Sequence, residues 1–195
     1  MPSTLCETAY VRDSVRATVK LLVAGAFGVG KTTLIGSVSE ITPLRTEEVM
    51  TQAGAAVDDL TGIEGKLTTT VALDFGRLTL GEDLALFLFG TPGQSRFLPL
   101  WQDLAHGAYG ALVLADTRAL QRCFDTLALV EQHGLPYVVA VNRFPDSPAH
   151  PEAEVRQALD LEAGTPLVTC DARDHTSSRS ALIALVAHLH HLTGA

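Results

Sequence analysis

Cysteine is scarce in this sequence, and so are positive charge and long apolar runs. The three cysteines, Cys6, Cys123 and Cys170, are odd in number and show no metal-ligand spacing. That pattern excludes a disulfide framework or a zinc ribbon and predicts reduced, buried thiols in a cytoplasmic protein. The 14 basic residues face 22 acidic ones, a formal net charge of -8. Such a balance disfavours non-specific binding to nucleic acid or to an anionic membrane surface. No stretch approaches the ~18 apolar residues of a membrane span, so direct membrane insertion is not expected. The opening MPSTLCETAYVRDS lacks the apolar centre of a signal peptide, Pro2 excludes myristoylation, and the ending HLTGA offers no cysteine for prenylation. Any recruitment to a membrane is expected to go through a partner.

What is present suits a folded domain. At 47% hydrophobic and 18% charged, the 195 residues can bury a full core as one domain, with residues 1–14 a flexible start. Apolar runs alternate with helical patterns, the mark of a parallel α/β sheet. Strands are expected at Val15 to Ala24, Thr69 to Leu80, Leu84 to Phe89, Gly110 to Asp116, Pro136 to Asn142 and Pro166 to Cys170. The second and third of these read as a hairpin around Gly81-Glu82-Asp83. Helices are expected from Lys31 to about Ser39, Thr117 to His133, Pro151 to Leu161, and from a cap near Ser177 or Ser178 onward. In the last helix Leu182, Leu185, Val186 and Leu189 would face inward, and His188, His190 and His191 would be helix-end residues without zinc spacing. Residues 40–68 break the rhythm, and so long an irregular segment in a compact domain is usually functional or disordered.

The strongest chemical signal is Gly25-Ala26-Phe27-Gly28-Val29-Gly30-Lys31-Thr32, which fits GxxxxGK[ST] between an apolar strand and a helix. The glycines allow the backbone to wrap phosphate oxygens, with amides from Gly28 through Thr32 and Thr33 turned toward them. Lys31 would reach the β and γ phosphates, and the Thr32 hydroxyl would bind Mg²⁺. Thr70, just after the irregular segment, is the candidate sensor of Mg²⁺ and γ-phosphate. Gly90-Thr91-Pro92-Gly93-Gln94 ends a buried strand, where the Gly93 amide would bond the γ-phosphate and Gln94 would orient water. Two more strand-end loops, at Asn142-Arg143-Phe144-Pro145-Asp146 and Asp171-Ala172-Arg173, lie where α/β folds bind ligands.

This ordered set, spread over residues 19 to 174, resembles the Ras-like small GTPase superfamily. TTTVALDFG, GTPGQSRF and the N-x-F loop resemble its bacterial branch of MglA-type and actinobacterial conservon GTPases. The resemblance implies a P-loop NTPase: a six-stranded, mostly parallel sheet with one antiparallel edge strand and about five helices. It implies GTP and GDP with Mg²⁺ as ligands, residues 40–68 as the first switch, hydrolysis of GTP to GDP and phosphate, and a roadblock-type regulatory protein as partner. A membrane sensor kinase-like component is implied beside that partner. Asn142 matches the asparagine of the guanine loop, Ala172 the residue whose N–H reads guanine O6, and Arg173 the lysine beside it.

Several positions depart from the superfamily pattern. Gly90 replaces the aspartate that holds Mg²⁺ through water, leaving Asp74 or Asp116 to supply a substitute charge. Phe27 stands where a small residue is usual and would crowd an incoming arginine, so intrinsic hydrolysis is expected to be slow. An activator would position Gln94 or an arginine in cis, for which Arg45, Arg77 and Arg96 are candidates. Arg143 replaces a lysine, and Pro145 stands in place of the guanine-reading aspartate. Either Asp146 reaches in through a longer loop, which is the expectation, or base specificity is relaxed. The alternatives in function are a non-hydrolysing nucleotide-binding adaptor and an NTPase of relaxed base specificity.

Overall fold

A computed structural model describes residues 14–51, 68–93 and 98–194. Its centre is a seven-stranded sheet of order β2-β3-β4-β1-β5-β6-β7. The strands are β1 (Ala17–Gly25), β2 (Leu44–Thr51), β3 (Thr68–Leu80), β4 (Leu84–Gly90), β5 (Gly110–Ala115), β6 (Tyr137–Asn142) and β7 (Leu167–Cys170). The helices are α1 (Lys31–Val38), α2 (Leu98–Ala105), α3 (Phe124–Gln132), α4 (Glu152–Ala158) and α5 (His175–Thr193). From β4 through β1, β5 and β6 to β7 every pairing is parallel, while β3 runs antiparallel to both β4 and β2.

The six strands expected from the pattern are present, flanked by helices as expected, and the sheet carries one more strand. β2 lies inside the segment that has no sustained period, pairing from Leu44↔Phe75 to Thr51↔Thr68. Its Glu47-Glu48 pair breaks any alternation of apolar residues. A ladder of backbone bonds to β3 needs no such alternation, which is why the strand is silent in the sequence. The helix expected from Thr117 also starts later. A 3-10 turn at Leu120–Cys123 precedes α3. The cap of α5 is Asp174, whose carboxylate accepts the Ser177 N–H at 2.7 Å, about one turn earlier than the serines suggest.

Strand alternation divides the core into two layers. Leu21, Val23, Leu112 and Leu114 face α1 and α5, where Leu34, Ile35, Leu182 and Leu185 are buried. Leu22, Ala24, Ala111 and Val113 face α2, α3 and α4, meeting Trp101, Leu127, Val130 and Val155. Val186 and Leu189 pack on the first layer, as the helical spacing indicates. Gly76 lets β3 approach α1 closely, since a Cβ there would lie 2.7 Å from Ile35 Cγ2. Among the described residues no helix is long and apolar enough to cross a membrane.

Burial pushes the thiols of Cys123 and Cys170 up to about 12. A thiol reagent at pH 8 should therefore titrate neither of these two in the native protein and both after denaturation. Rapid native labelling of Cys123 would contradict the packing of α3 on the sheet.

Candidate functional site

The loop after β1 leaves the C-terminal edge of the sheet between β4 and β5, where the chain reverses its direction of strand addition. Gly28 and Gly30 take φ of 80° and 108°, left-handed values open to glycine at little cost. Gly30 is the N-cap of α1 and has no side chain to cap it, so the first N–H groups of α1 remain for a ligand. Lys31 folds over the loop, its Nζ donating to Gly25 O at 2.7 Å and Ala26 O at 2.8 Å. Burial lowers its pKa to about 8, a shift that the Asp74 carboxylate partly opposes.

Asp74 decides the question raised by Gly90. The β3–β4 ladder pairs Phe75 with Phe89, which brings Asp74 alongside Gly90 one step further on. A Cβ on Gly90 would sit 3.1 Å from Asp74 Cβ and 3.4 Å from Asp74 Oδ2. The Asp74 carboxylate thus fills the neighbourhood that a carboxylate at position 90 would occupy. It is buried and accepts a hydrogen bond from the Thr32 hydroxyl. Asp116 is engaged elsewhere, bonded to Arg118. Among the described residues no three His, Cys, Asp or Glu side chains converge, so a metal cage made only of such side chains is absent there. An alcohol beside a carboxylate is instead the donor set of a hard cation that keeps waters and shares phosphate oxygens, and it fits Mg²⁺.

The Gly93 segment rests on the loop. A Cβ at Gly93 would lie 2.5 Å from Phe27 N and 2.8 Å from Ala26 C, so only glycine fits. The Phe27 side chain turns outward, 67% exposed, and fills nothing inside the loop. Thr91 donates its N–H to Val23 O at 3.0 Å, and its buried hydroxyl has no hydrogen-bond partner among the described residues. Gln94 and Arg96 lie outside the described residues. Thr70 is placed by backbone pairing opposite Val49, and Arg45 likewise opposite Asp74. Arg77 is not at the loop. Its backbone contacts Ser39 and Glu40 at the far end of α1, and its Nε lies 3.9 Å from Glu40.

At the other loops, Asn142 is 3% exposed and both ends of its amide are bonded. Its Nδ2 donates to Val29 O at 2.9 Å and its Oδ1 accepts from Ala172 N–H at 2.9 Å. Asn142 and Ala172, expected to read a base, are thus joined to each other. Arg143 donates its N–H to Cys170 O at 2.8 Å. Arg173 pairs with Asp171, and the bonds from Arg173 hold that carboxyl down at about 2. Asp146, expected to reach toward a base, lies on the loop surface paired with Arg118. Its carboxylate accepts from Arg118 Nη1 at 2.7 Å and is 70% exposed. Sequence reasoning missed two arginines here, Arg118 and Arg122. The latter lines two cavities, of about 260 and 300 Å³, that share Ala26 in their walls. Neither arginine stands in a recognisable motif: Arg118 is held by Asp116 at the end of β5, and Arg122 lies on the 3-10 turn that follows.

Over residues 23–191 the chain matches the family described as conserved hypothetical ATP binding protein. It belongs to that family. A relative, the uncharacterized protein MJ1339 of Methanocaldococcus jannaschii, is 31% identical over 127 residues, 64% of this chain and 70% of its own length. Among solved structures the chain resembles the cytosolic domain of the T. maritima FeoB iron transporter in a GDP form, with TM-score 0.64 and 16% identity. That match covers 89% of this chain and 64% of the FeoB domain, so the chain spans less than two thirds of it. The isolated FeoB G domain is covered over 99% of its length, with TM-score 0.62 and 16% identity. The fold of this family member is therefore that of a G-domain P-loop NTPase.

Since folding disfavours the Lys31 ammonium, the native state binds fewer protons than the unfolded chain between about 8 and the usual lysine value of 10.5. Nucleotide-stripped protein should gain stability from this group as pH rises through that window. Comparing urea midpoints at pH 7.5 and 10, Lys31→Met should lose that gain, and an identical pH profile in the variant would refute the shift.

Proposed function

We propose that the protein is a nucleotide-dependent switch that binds a purine nucleoside triphosphate with Mg²⁺, hydrolyses it slowly and signals through a protein partner. The carrying observation is the Thr32–Asp74 pair beside Lys31: the metal-side chemistry that Gly90 forgoes has a carboxylate in place from β3. In this reading the amides of Gly28 to Thr33 and the Lys31 ammonium hold the phosphates. Thr32 would ligate the metal with Asp74 behind it, and Thr70, four residues from Asp74 along β3, would join them only once that end of β3 draws in toward the loop. Bound there, Mg²⁺ would neutralise charge building on the phosphates.

The Gly93 segment supports the switching part. It lies against the Ala26–Phe27 peptide. A γ-phosphate received by both the Gly93 amide and the loop has to part them, and that movement is what a partner can sense. Gln94 is assigned the water, as in the resemblance. A roadblock-type regulatory protein and a membrane sensor kinase-like component are the partners it implies, with MglA-type GTPases as the functional analogy. Support on the base is divided. The family is described as ATP-binding, whereas the FeoB structures include GDP and GMPPNP forms. The reading therefore keeps both purines as ligands.

Asp74→Ala should weaken Mg²⁺ dependence of triphosphate binding by ~10–100-fold. Gly90→Asp alone should destabilise, since its Cβ would come within 3.1 Å of Asp74 Cβ, while the Gly90→Asp/Asp74→Gly double variant, which removes that Cβ, should recover metal affinity. A magnesium titration unmoved in Asp74→Ala sinks the assignment. In single-turnover assays with GTP and ATP, Gln94→Leu should slow hydrolysis at least ~10-fold with nucleotide affinity unchanged. Equal rates would remove the glutamine from the chemistry, and absence of turnover in the wild type would favour the non-hydrolysing adaptor.

A further inference from the structure

The loop after β6 ends in a tight turn. Ser147 N–H donates to Phe144 O at 3.1 Å, and Phe144 N–H donates to the Ser147 hydroxyl at 3.0 Å. Pro145 and Asp146 form the corner of that turn, the positions where proline and aspartate suit a β-turn. The corner faces Arg118, which crosses from the loop after β5. Its Nε and Nη2 grip Asp116 at 3.0 and 2.7 Å, and its backbone N–H bonds the same carboxylate at 2.9 Å. The guanidinium carbon lies 3.8 Å from the centre of the Phe144 ring. Two contacts thus fix the guanidinium before Asp146 is counted, and Nη1 is left to take the Asp146 carboxylate at 2.7 Å.

We propose that Arg118 is a specificity-determining positioning residue: by holding Asp146 on the turn, it withholds from the base site the carboxylate that would select guanine, so both purines are accepted. The inference rests on the reading of a purine nucleotide at the P-loop. Guanine presents two donors, N1–H and the 2-amino group, on an edge where adenine presents an acceptor and a C–H. A free carboxylate beside Asn142 rewards guanine alone. A carboxylate already neutralised by a guanidinium rewards neither base strongly. Because the Asp146 side chain is 70% exposed, water and salt screen the latch, and the selectivity it suppresses is modest.

The test is a ratio of affinities, in which uniform losses from folding or phosphate binding cancel. Fluorescently labelled GDP, ADP and IDP are titrated into the full chain. The wild type should bind GDP and ADP within about threefold, and Arg118→Ala should shift the ratio roughly fivefold toward GDP. The gain should be smaller for IDP, which lacks the 2-amino group. Asp146→Ala should leave the wild-type ratio unchanged and abolish the gain when combined with Arg118→Ala. Should Arg118→Ala not fold, Arg118→Gln keeps a planar group over Phe144 and a donor for Asp116, and should move the ratio the same way. An unmoved ratio in a folded Arg118 variant overturns the inference and leaves the nucleotide reading standing. So does a loss of GDP preference in Asp146→Ala alone. A wild type that binds none of the three overturns the reading itself, and the inference with it.

Discussion

The buried amide of Asn142 is the interaction on which the rest of the site depends. An asparagine side chain offers a donor and an acceptor on one planar group, and burying either unpaired is costly. Here the donor meets Val29 O and the acceptor meets Ala172 N–H, so one side chain ties the phosphate-type loop after β1 to the loop after β7. Gly30 is part of the same arrangement, since a Cβ there would come within 2.6 Å of Asn142 Nδ2. The glycines of the loop thus serve two ends. They let the backbone turn inward, and they let the strand-end loops close against it.

The second constraint is the demand for negative charge beside Thr32. In a sheet, a side chain can be supplied from either of two neighbouring strands. The antiparallel β3–β4 register places Asp74 where its carboxylate overlaps the reach of a residue at position 90. Having one carboxylate there requires the other position to be small, and Gly90 is. A buried carboxylate is tolerable because Thr32 donates to it and the Lys31 ammonium stands near. The charge is kept in space while its place in the chain has moved.

The alternation of apolar strands and amphipathic helices made most elements legible. Burial on both faces of a parallel sheet leaves continuous apolar runs, and β5, Gly110–Ala115, is buried throughout. β2 was not legible, since an edge strand is held by backbone bonds that leave no trace in side-chain pattern. α2, only eight residues long with a proline in its first turn, was equally silent. In the site, GxxxxGK[ST] and the Gly93 position carried their own signature. Asp74, Arg118 and Arg122 did not, because what matters about each is a neighbour far along the chain.

By itself the sequence determined the architecture and the phosphate-type loop. Both depend on local periodicity and on glycines at fixed spacing, which short-range sterics read directly. Only the tertiary structure decided which carboxylate accompanies Thr32 and where Asp146 points. Strand register chose Asp74, and a β-turn facing an arginine from the neighbouring loop chose the partner of Asp146. Contacts between residues 42 or 28 positions apart follow from how strands align, and no local pattern encodes that alignment.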